Sequence, residues 1–428
     1  MSNDMGALEG IRVLEFSQIV AAPIAGVNLS DMGADVIKVE PVEGESTRRA
    51  GGIVPLESKG FQSLNRGKRS LPLNLRDDRA KQIVYSLIPD IDVVTINYRL
   101  GVAERLGIDY ETLKQYNPKL IYWENTGFGA TGPGATRAGT DLVAGAYTGL
   151  IASEGHVDEV GAPERGIELA IADFISGYAA SMGICAALFH RERTGEGQLI
   201  RTSLLRSALH SLGGFVMREP MTDSVLRDPM IEEVTELRKS GAPYSEVARI
   251  RKERRFLGGG FRLFYNGYRT SDGAIMLGCL TKASRDGVRR VLELDDEHSD
   301  DPDYDAADPV NKQSAFEWRD VIREKMLQKT ESEWMAIFDA EGVPASTVHL
   351  PEEMSDDPQV VADGIMWDIE HSITGPQRVV GPIVEMFGSP TAVRSASPAL
   401  GEDTEEILTT LGYDSETIQK FRDEKVTY

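Results

Sequence analysis

Cysteine is nearly absent from the 428 residues: Cys185 and Cys279 are too few for a disulfide framework, which points to a reduced, cytoplasmic setting. The start, Met1-Ser2-Asn3-Asp4, has no basic region followed by an apolar core, so no secretory signal is expected. Positive charge is also short. Forty-six basic residues stand against 68 acidic ones, a net charge of −22, which disfavours nucleic acid and anionic membrane as partners and leaves small molecules. Long apolar runs are missing too: the longest nearly uncharged stretch, Asp173 to His190, begins with an acid and is studded with Gly, Ala and Ser, so no membrane span is expected. The first strand turn, Ser17-Gln18-Ile19-Val20-Ala21-Ala22-Pro23, lacks the Gly-x-Gly-x-x-Gly of nicotinamide enzymes. Neither a P-loop nor Gly-x-Ser-x-Gly occurs, and the six histidines show no paired ligand spacing, so no metal is expected.

What is present reads as an α/β protein. Length favours more than one domain. Ile11 to Phe16 is an apolar strand, Pro23 to Met32 a helix and Val36 to Val39 a second strand; this parallel unit repeats through a helix at Arg79 to Leu87 and strands at Val93 to Ile96 and Leu120 to Trp123. The expected fold is a doubly wound, mostly parallel sheet. A small-residue loop, Gly127 to Gly134, precedes a helix from about Asp141, a long helix from about Phe174 to Arg193 and a strand from Leu199 to Leu204. The long helix stops at Arg193-Thr194-Gly195, with basic residues in its last turn and glycine just beyond. Glu219 to Phe256 is charged and helix-favouring, as a linker or interdomain arm would be. Past Gly258-Gly259-Gly260, alternation around a Ser271-Asp272-Gly273 turn predicts a β-hairpin opening a smaller α/β domain. Glu293 to Asp305, with eight acids and no lysine or arginine, reads as a solvated loop. The expected divisions are 1–217, a 218–260 linker with the glycine loop, 261–350, and 351–428.

Four features bear on chemistry. Asp173 is the only charged side chain between Leu169 and Phe189, and a carboxylate there is costly unless it caps the helix or is used. Both readings stand on pattern alone. Asn65 to Arg105 holds eight basic and five acidic residues, densest at Arg66, Lys68, Arg69 and Arg76; it suits a phosphate-bearing ligand or merely balances nearby acids. Glu40, ending the second strand, reads as a solvent-facing strand end, and Gly258 to Gly260 as an active-site flap or an interdomain hinge.

Several strings resemble, in identity and order, the family III (CaiB/BaiF-type) CoA-transferases: Gly33-Ala34-Asp35-Val36-Ile37-Lys38-Val39-Glu40-Pro41, Asn65-Arg66-Gly67-Lys68-Arg69-Ser70, Asn97-Tyr98-Arg99, Gly127-Phe128-Gly129-x-x-Gly132-Pro133 and Arg193-Thr194-Gly195-Glu196-Gly197-Gln198. Ala340 to Ala345, Asp357-Pro358-Gln359-Val360 and Leu400 to Thr404 continue the likeness. The resemblance implies a Rossmann-like CoA-binding large domain, a small domain, a C-terminal segment returning to the large one, and an interlocked-ring homodimer. It implies CoA transfer between acids through mixed-anhydride and aspartyl-CoA thioester intermediates on Asp173, with no permanently bound cofactor and coenzyme A thioester as substrate. Family members handle oxalate, carnitine derivatives, bile acids, aryl acids and small dicarboxylates; a small, polar dicarboxylate is the expected acceptor, although no residue of this sequence selects it. By the same likeness, Gly259 and Gly260 would stabilise oxyanions, and Val20 and Ala21 would lie near the pantetheine. Leu73 and Arg76 would lie near the adenine, with Asn97, Tyr98 and Arg105 along pantetheine and phosphates. Arg137 corresponds loosely to a lysine of some relatives, and Pro41 replaces an early basic contact. The rival within the fold is an α-methylacyl-CoA racemase, whose Gly-His-Asp base triplet is Gly139-Thr140-Asp141 here; threonine is no base at neutral pH.

Overall fold

A computed structural model describes residues 5–255, 261–306 and 308–428. The chain divides into two compact units, one of residues 1–156, 164–217 and 358–428, the other of 157–163 and 218–357.

The first unit is built from β1 (Arg12–Phe16), α1 (Ala21–Asp31), β2 (Asp35–Glu40), α2 (Lys59–Asn65), β3 (Lys68–Pro72), α3 (Asp78–Leu87) and β4 (Val93–Ile96). It continues through α4 (Val102–Leu106), α5 (Tyr110–Leu113), β5 (Ile121–Thr126), α6 (Asp141–Thr148), α7 (Leu150–Glu154), α8 (Ile171–Thr194), β6 (Leu199–Ser203), α9 (Leu204–Ser211) and α10 (Gly213–Val216). Its six strands are all parallel, in the order β3-β2-β1-β4-β5-β6. Strand side chains alternate between faces, and the central strands are covered on both, so they carry adjacent apolar pairs such as Val13-Leu14, Val36-Ile37 and Val93-Val94. Val13, Val36, Val93, Ile121 and Trp123 pack with residues of α1 and α8. Their neighbours Leu14, Ile37, Val94 and Tyr122 pack on the opposite face with α3 and the C-terminal helices.

The second unit opens with α11 (Pro220–Val225), α12 (Arg227–Lys239) and α13 (Tyr244–Arg255). The segment read as an arm is thus three helices that belong to this unit's own compact body. After α14 (Phe261–Phe264), β7 (Tyr265–Arg269) and β8 (Ala274–Gly278) form the hairpin expected around Asp272. Then come α15 (Lys282–Leu292), α16 (Pro309–Met326), α17 (Glu331–Ala340) and β9 (Ala345–Thr347), which completes an antiparallel sheet β7-β8-β9. Phe264, Ile275, Leu277, Val288, Ile322 and Phe338 fill its core. The acidic run is not simply solvated: Arg289 binds Glu297 at 2.6 Å, and Arg285 and Arg289 both bind Asp300, at 2.5 and 2.8 Å. Glu297 is buried by this pairing.

Residues 358–428 return to the first unit as α18 (Pro358–Ala362), the hairpin β10 (Met366–His371) and β11 (Gly375–Val380), α19 (Thr404–Thr410) and α20 (Ser415–Asp423). The tail is stitched to the end of β3: Asn74 donates its amide to Val426, and Thr427 Oγ1 donates to the Pro72 carbonyl.

Candidate active site

The order 3-2-1-4-5-6 reverses direction between β1 and β4, and a doubly wound sheet opens a ligand crevice beyond the carboxyl ends of those strands. Two loops meet there. Asn97, just past β4, accepts from the Gln18 amide at 3.0 Å and donates to the Gln18 carbonyl at 2.7 Å, locking the turn after β1. Ile19 in that turn has φ +67°, a left-handed conformation that costs a β-branched residue on the order of 1–3 kcal/mol. Nothing in the local sequence signals it.

Helix α8 delivers Asp173 to the same place. A Cβ on Gly177 would overlap Ile24 Cγ2 and stand 2.8 Å from the Ala21 carbonyl oxygen, so α1 and α8 touch almost backbone to backbone there. Further along, Asn28 Nδ2 donates to Ser181 Oγ at 3.1 Å, so the two helices run parallel. Asp173 lies one turn before Gly177 on the same face, so the parallel packing directs it toward the N-terminal end of α1, which the Ser17 to Val20 turn precedes.

The capping reading of Asp173 is corrected by the geometry. Asp173 is the third residue of α8, and the N-cap position is Ala170, whose side chain cannot cap. The cap comes from α6: Asp141 Oδ1 accepts from the amides of Ala172 at 2.7 Å and Asp173 at 3.3 Å. Asp141 Oδ2 is held 3.0 Å from Arg165, which also donates to the Leu169 carbonyl. Asp141 reaches this position because Gly127, just after β5, crosses Gly139 so closely that a Cβ on it would lie 2.8 Å from the Gly139 Cα. Thr140, in the place of the racemase histidine, caps α6 by accepting from the Val143 amide.

The Asp173 carboxylate itself, only 9% exposed, accepts no hydrogen bond among the described residues. Burial raises its pKa from 3.8 to about 7; the Asp141 charge adds to the rise and Arg165 opposes it. The helix dipole favours an anion at this end, and burial outweighs it. The result is a carboxylate that ionises near neutrality with little solvent or hydrogen bonding to blunt it. Ser176 Oγ, bonded to Ser207 Oγ of α9 at 2.7 Å, fixes the same helical turn from another side.

The residues expected along a CoA path all follow the carboxyl ends of strands. Val20 and Ala21 begin α1 after β1, and Asn97 and Tyr98 follow β4. Arg105 lies on α4. Leu73 and Arg76 follow β3, Leu73 with its side chain in the core and Arg76 exposed. Arg137, in the loop after β5, is exposed, its guanidinium 5.0 Å from the Phe128 ring and 5.4 Å from the Tyr147 ring. Gly259 and Gly260 lie outside the described residues.

The basic cluster is mostly spent inside the protein. Arg66 pairs with Asp31 at 2.5 Å, Lys68 with Glu15 at 2.9 Å, and Arg69 grips both oxygens of Asp35. Of the four, Arg76 alone forms no ion pair among the described residues and stays exposed. Glu40 is likewise buried rather than solvent-facing, held by Arg48 through two hydrogen bonds of 2.7 and 2.8 Å. Residues that sequence reasoning passed over, Glu45 and Lys38, form a buried ion pair under the β1 turn.

Comparison with known proteins agrees with this geometry. Residues 8–404 match the family described as CoA-transferase family III. The chain is 32% identical to the succinate–glutarate CoA-transferase of Agrobacterium fabrum, over 98% of each chain. It is 30% identical to the succinyl-CoA:glutarate CoA-transferase of Mus musculus, over 98% of this chain and 89% of that one. The crystal structure of a CAIB/BAIF family protein from Brucella suis superimposes with a TM-score of 0.71 at 28% identity, covering 95% of this chain and all of that one. The chain belongs to CoA-transferase family III, enzymes that move coenzyme A between an acyl-CoA and a carboxylic acid.

Proposed function

We propose that Asp173 is the covalent nucleophile of this transfer and that donor and acceptor are small dicarboxylates. The observation that carries the first part is the buried Asp173 carboxylate, which accepts no hydrogen bond among the described residues and whose capping duty is taken by Asp141. The Asp173 carboxylate attacks the thioester carbonyl; the new C–O bond makes a mixed anhydride and the C–S bond breaks, releasing CoA thiolate. The thiolate attacks the aspartyl carbonyl of the anhydride, giving an aspartyl-CoA thioester and the free donor acid. The acceptor carboxylate attacks that thioester to form a second anhydride, and the thiolate then takes the acceptor acyl group, regenerating Asp173. No proton or electron is gained or lost overall.

Backbone amides of Gly259 and Gly260 serve as oxyanion donors in this scheme. CoA runs along Val20, Ala21, Asn97, Tyr98, Leu73, Arg76, Arg105 and Arg137, all on the carboxyl side of the sheet. The dicarboxylate reading is supported by relatives whose names join succinyl-CoA to glutarate, and in Haloarcula marismortui, at 28% identity, to mesaconate. The working unit in this reading is a cytoplasmic homodimer. Met182 and Phe189 on α8, 72% and 65% exposed, and the run Phe215, Val216 and Met217 leave apolar surface of the kind a second copy covers.

The test is a matrix of acyl-CoA donors against acids, read by mass. Succinyl-CoA with glutarate or mesaconate is expected to turn over in the parent and to fail in Asp173→Ala. Equal turnover with monocarboxylates would remove the dicarboxylate assignment, and an active Asp173→Ala would remove the nucleophile.

A further inference from the structure

We propose that Glu45 is a positioning residue for the transfer reaction: through the Ile19 amide it holds the strained Ser17 to Val20 turn in the shape that faces Asp173. The assignment rests on the reading of Asp173 as nucleophile.

The buried Glu45 carboxylate does not cap the short 3-10 helix it precedes. Its Oε2 accepts from the Ile19 amide at 3.0 Å, across 26 residues of sequence. Its Oε1 accepts from Thr47 Oγ1 at 2.7 Å and lies 3.6 Å from Lys38 Nζ. The Lys38 ammonium, fully buried, donates to Ser17 Oγ at 2.7 Å and to the Ser17 carbonyl at 3.3 Å, and is 3.5 Å from Glu15. Glu45 is fixed in turn by its own amide, which donates to Glu40 Oε2 at 3.2 Å, where Arg48 anchors the Glu40 carboxylate.

Successive residues of the turn are therefore gripped separately: Ser17 by Lys38, Gln18 by Asn97, Ile19 by Glu45. A buried network of charges is expensive to assemble, and a turn between a strand and a helix needs no such apparatus merely to connect them. What it does here is keep a β-branched residue at φ +67°. That conformation is normally left to glycine, and strain of this kind persists only where the surroundings over-determine it. Releasing Ile19 lets the turn relax, and with it the main chain that enters α1 at Val20 and Ala21, where the Ala21 carbonyl packs against Gly177 of α8, one turn after Asp173.

Turnover, KM for both substrates and melting temperature of the full-length enzyme test the proposal in Glu45→Ala, Glu45→Gln and Glu45→Ala combined with Ile19→Gly. Glu45→Ala is expected to lower kcat by about tenfold or more, whereas Glu45→Gln, which keeps an acceptor for the Ile19 amide, stays within about threefold of the parent. Glycine occupies the left-handed region without a clamp, so adding Ile19→Gly is expected to recover at least about threefold of the lost kcat. A purely structural Glu45 predicts instead losses that track melting temperature and no rescue by glycine. The proposal is overturned if Glu45→Ala keeps kcat within about twofold, or if the double variant is no better than the single. Should Glu45→Ala not fold, Glu45→Gln decides, because a loss beyond about tenfold with the acceptor retained contradicts the role. Asp173→Asn assayed alongside separates the two claims: an active Asp173→Asn defeats the nucleophile, while an inactive one with unchanged Glu45→Ala turnover defeats only Glu45.

Discussion

At Asp173 three influences compete. Burial and the Asp141 charge push the carboxyl up to about 7, and Arg165 pulls it back. In the proposed mechanism the attacking carboxylate must be ionised, so kcat/KM for acyl-CoA is expected to fall about tenfold per pH unit below about pH 7. Asp141→Asn keeps an oxygen for the α8 amides and removes the neighbouring charge, so it is expected to move that acid limb to lower pH. An unmoved limb would mean that Asp173 is not the titrating group. Stability carries the same signature with a defined sign. The folded-state pKa lies above the ordinary 3.8, so the contribution present at low pH is lost as pH rises toward and through about 7. Asp173→Asn is expected to gain on the parent between about pH 4 and about pH 7, by up to about 1.4 kcal/mol per pH unit, and to hold that gain unchanged above, read from denaturant midpoints. The isolation of Asp173 in an apolar stretch was legible in the sequence. Its freedom from capping was not, because the cap is Asp141, brought in from 31 residues away by the crossing of Gly127 and Gly139.

Among the elements, the strands were the most readable part of the chain. Burial on both faces leaves unbroken runs such as Val93 to Ile96, whose limits match the observed β4. Helix α8 was also legible, from its small and apolar body and its Gly195 stop. Parallel packing of α1 on α8 was not, since small residues in a helix serve many partners. That contact sets where Asp173 points. Gly177→Ala places a methyl group against Ile24 and the Ala21 carbonyl, and overpacking at a backbone contact costs about 1–3 kcal/mol. Thermal unfolding is expected to show that loss together with reduced turnover, whereas Gly183→Ala, whose Cβ would meet Ile200 at an ordinary 3.5 Å, is expected to leave both nearly unchanged. Equal effects at the two glycines would remove the α1 contact from the account.

Over the whole molecule, the net charge of −22 overstates the hostility to an anionic ligand and the basic stretch overstates the welcome. Arg66, Lys68 and Arg69 are neutralised internally by Asp31, Glu15 and Asp35, partners that lie 34 to 53 residues earlier and were invisible to local counting. The acidic run is partly consumed by Arg285 and Arg289 in the same way. Arg76 and Arg105 remain exposed, and the proposed CoA path assigns phosphates to such arginines. Arg105→Ala is therefore expected to raise KM for acyl-CoA several-fold with kcat unchanged, and the difference from the parent is expected to shrink as salt rises from about 0.05 to 0.5 M. A KM that ignores both the variant and salt would contradict the path along α4.

The central claim is that the acyl transfer passes through Asp173. Incubation of the enzyme with succinyl-CoA, quenching with hydroxylamine or borohydride, and peptide mass spectrometry test it directly. The account predicts a hydroxamate or a reduced alcohol on the peptide at Asp173, absent without acyl-CoA and absent in Asp173→Asn. Continued CoA transfer with Asp173 unmodified would contradict it.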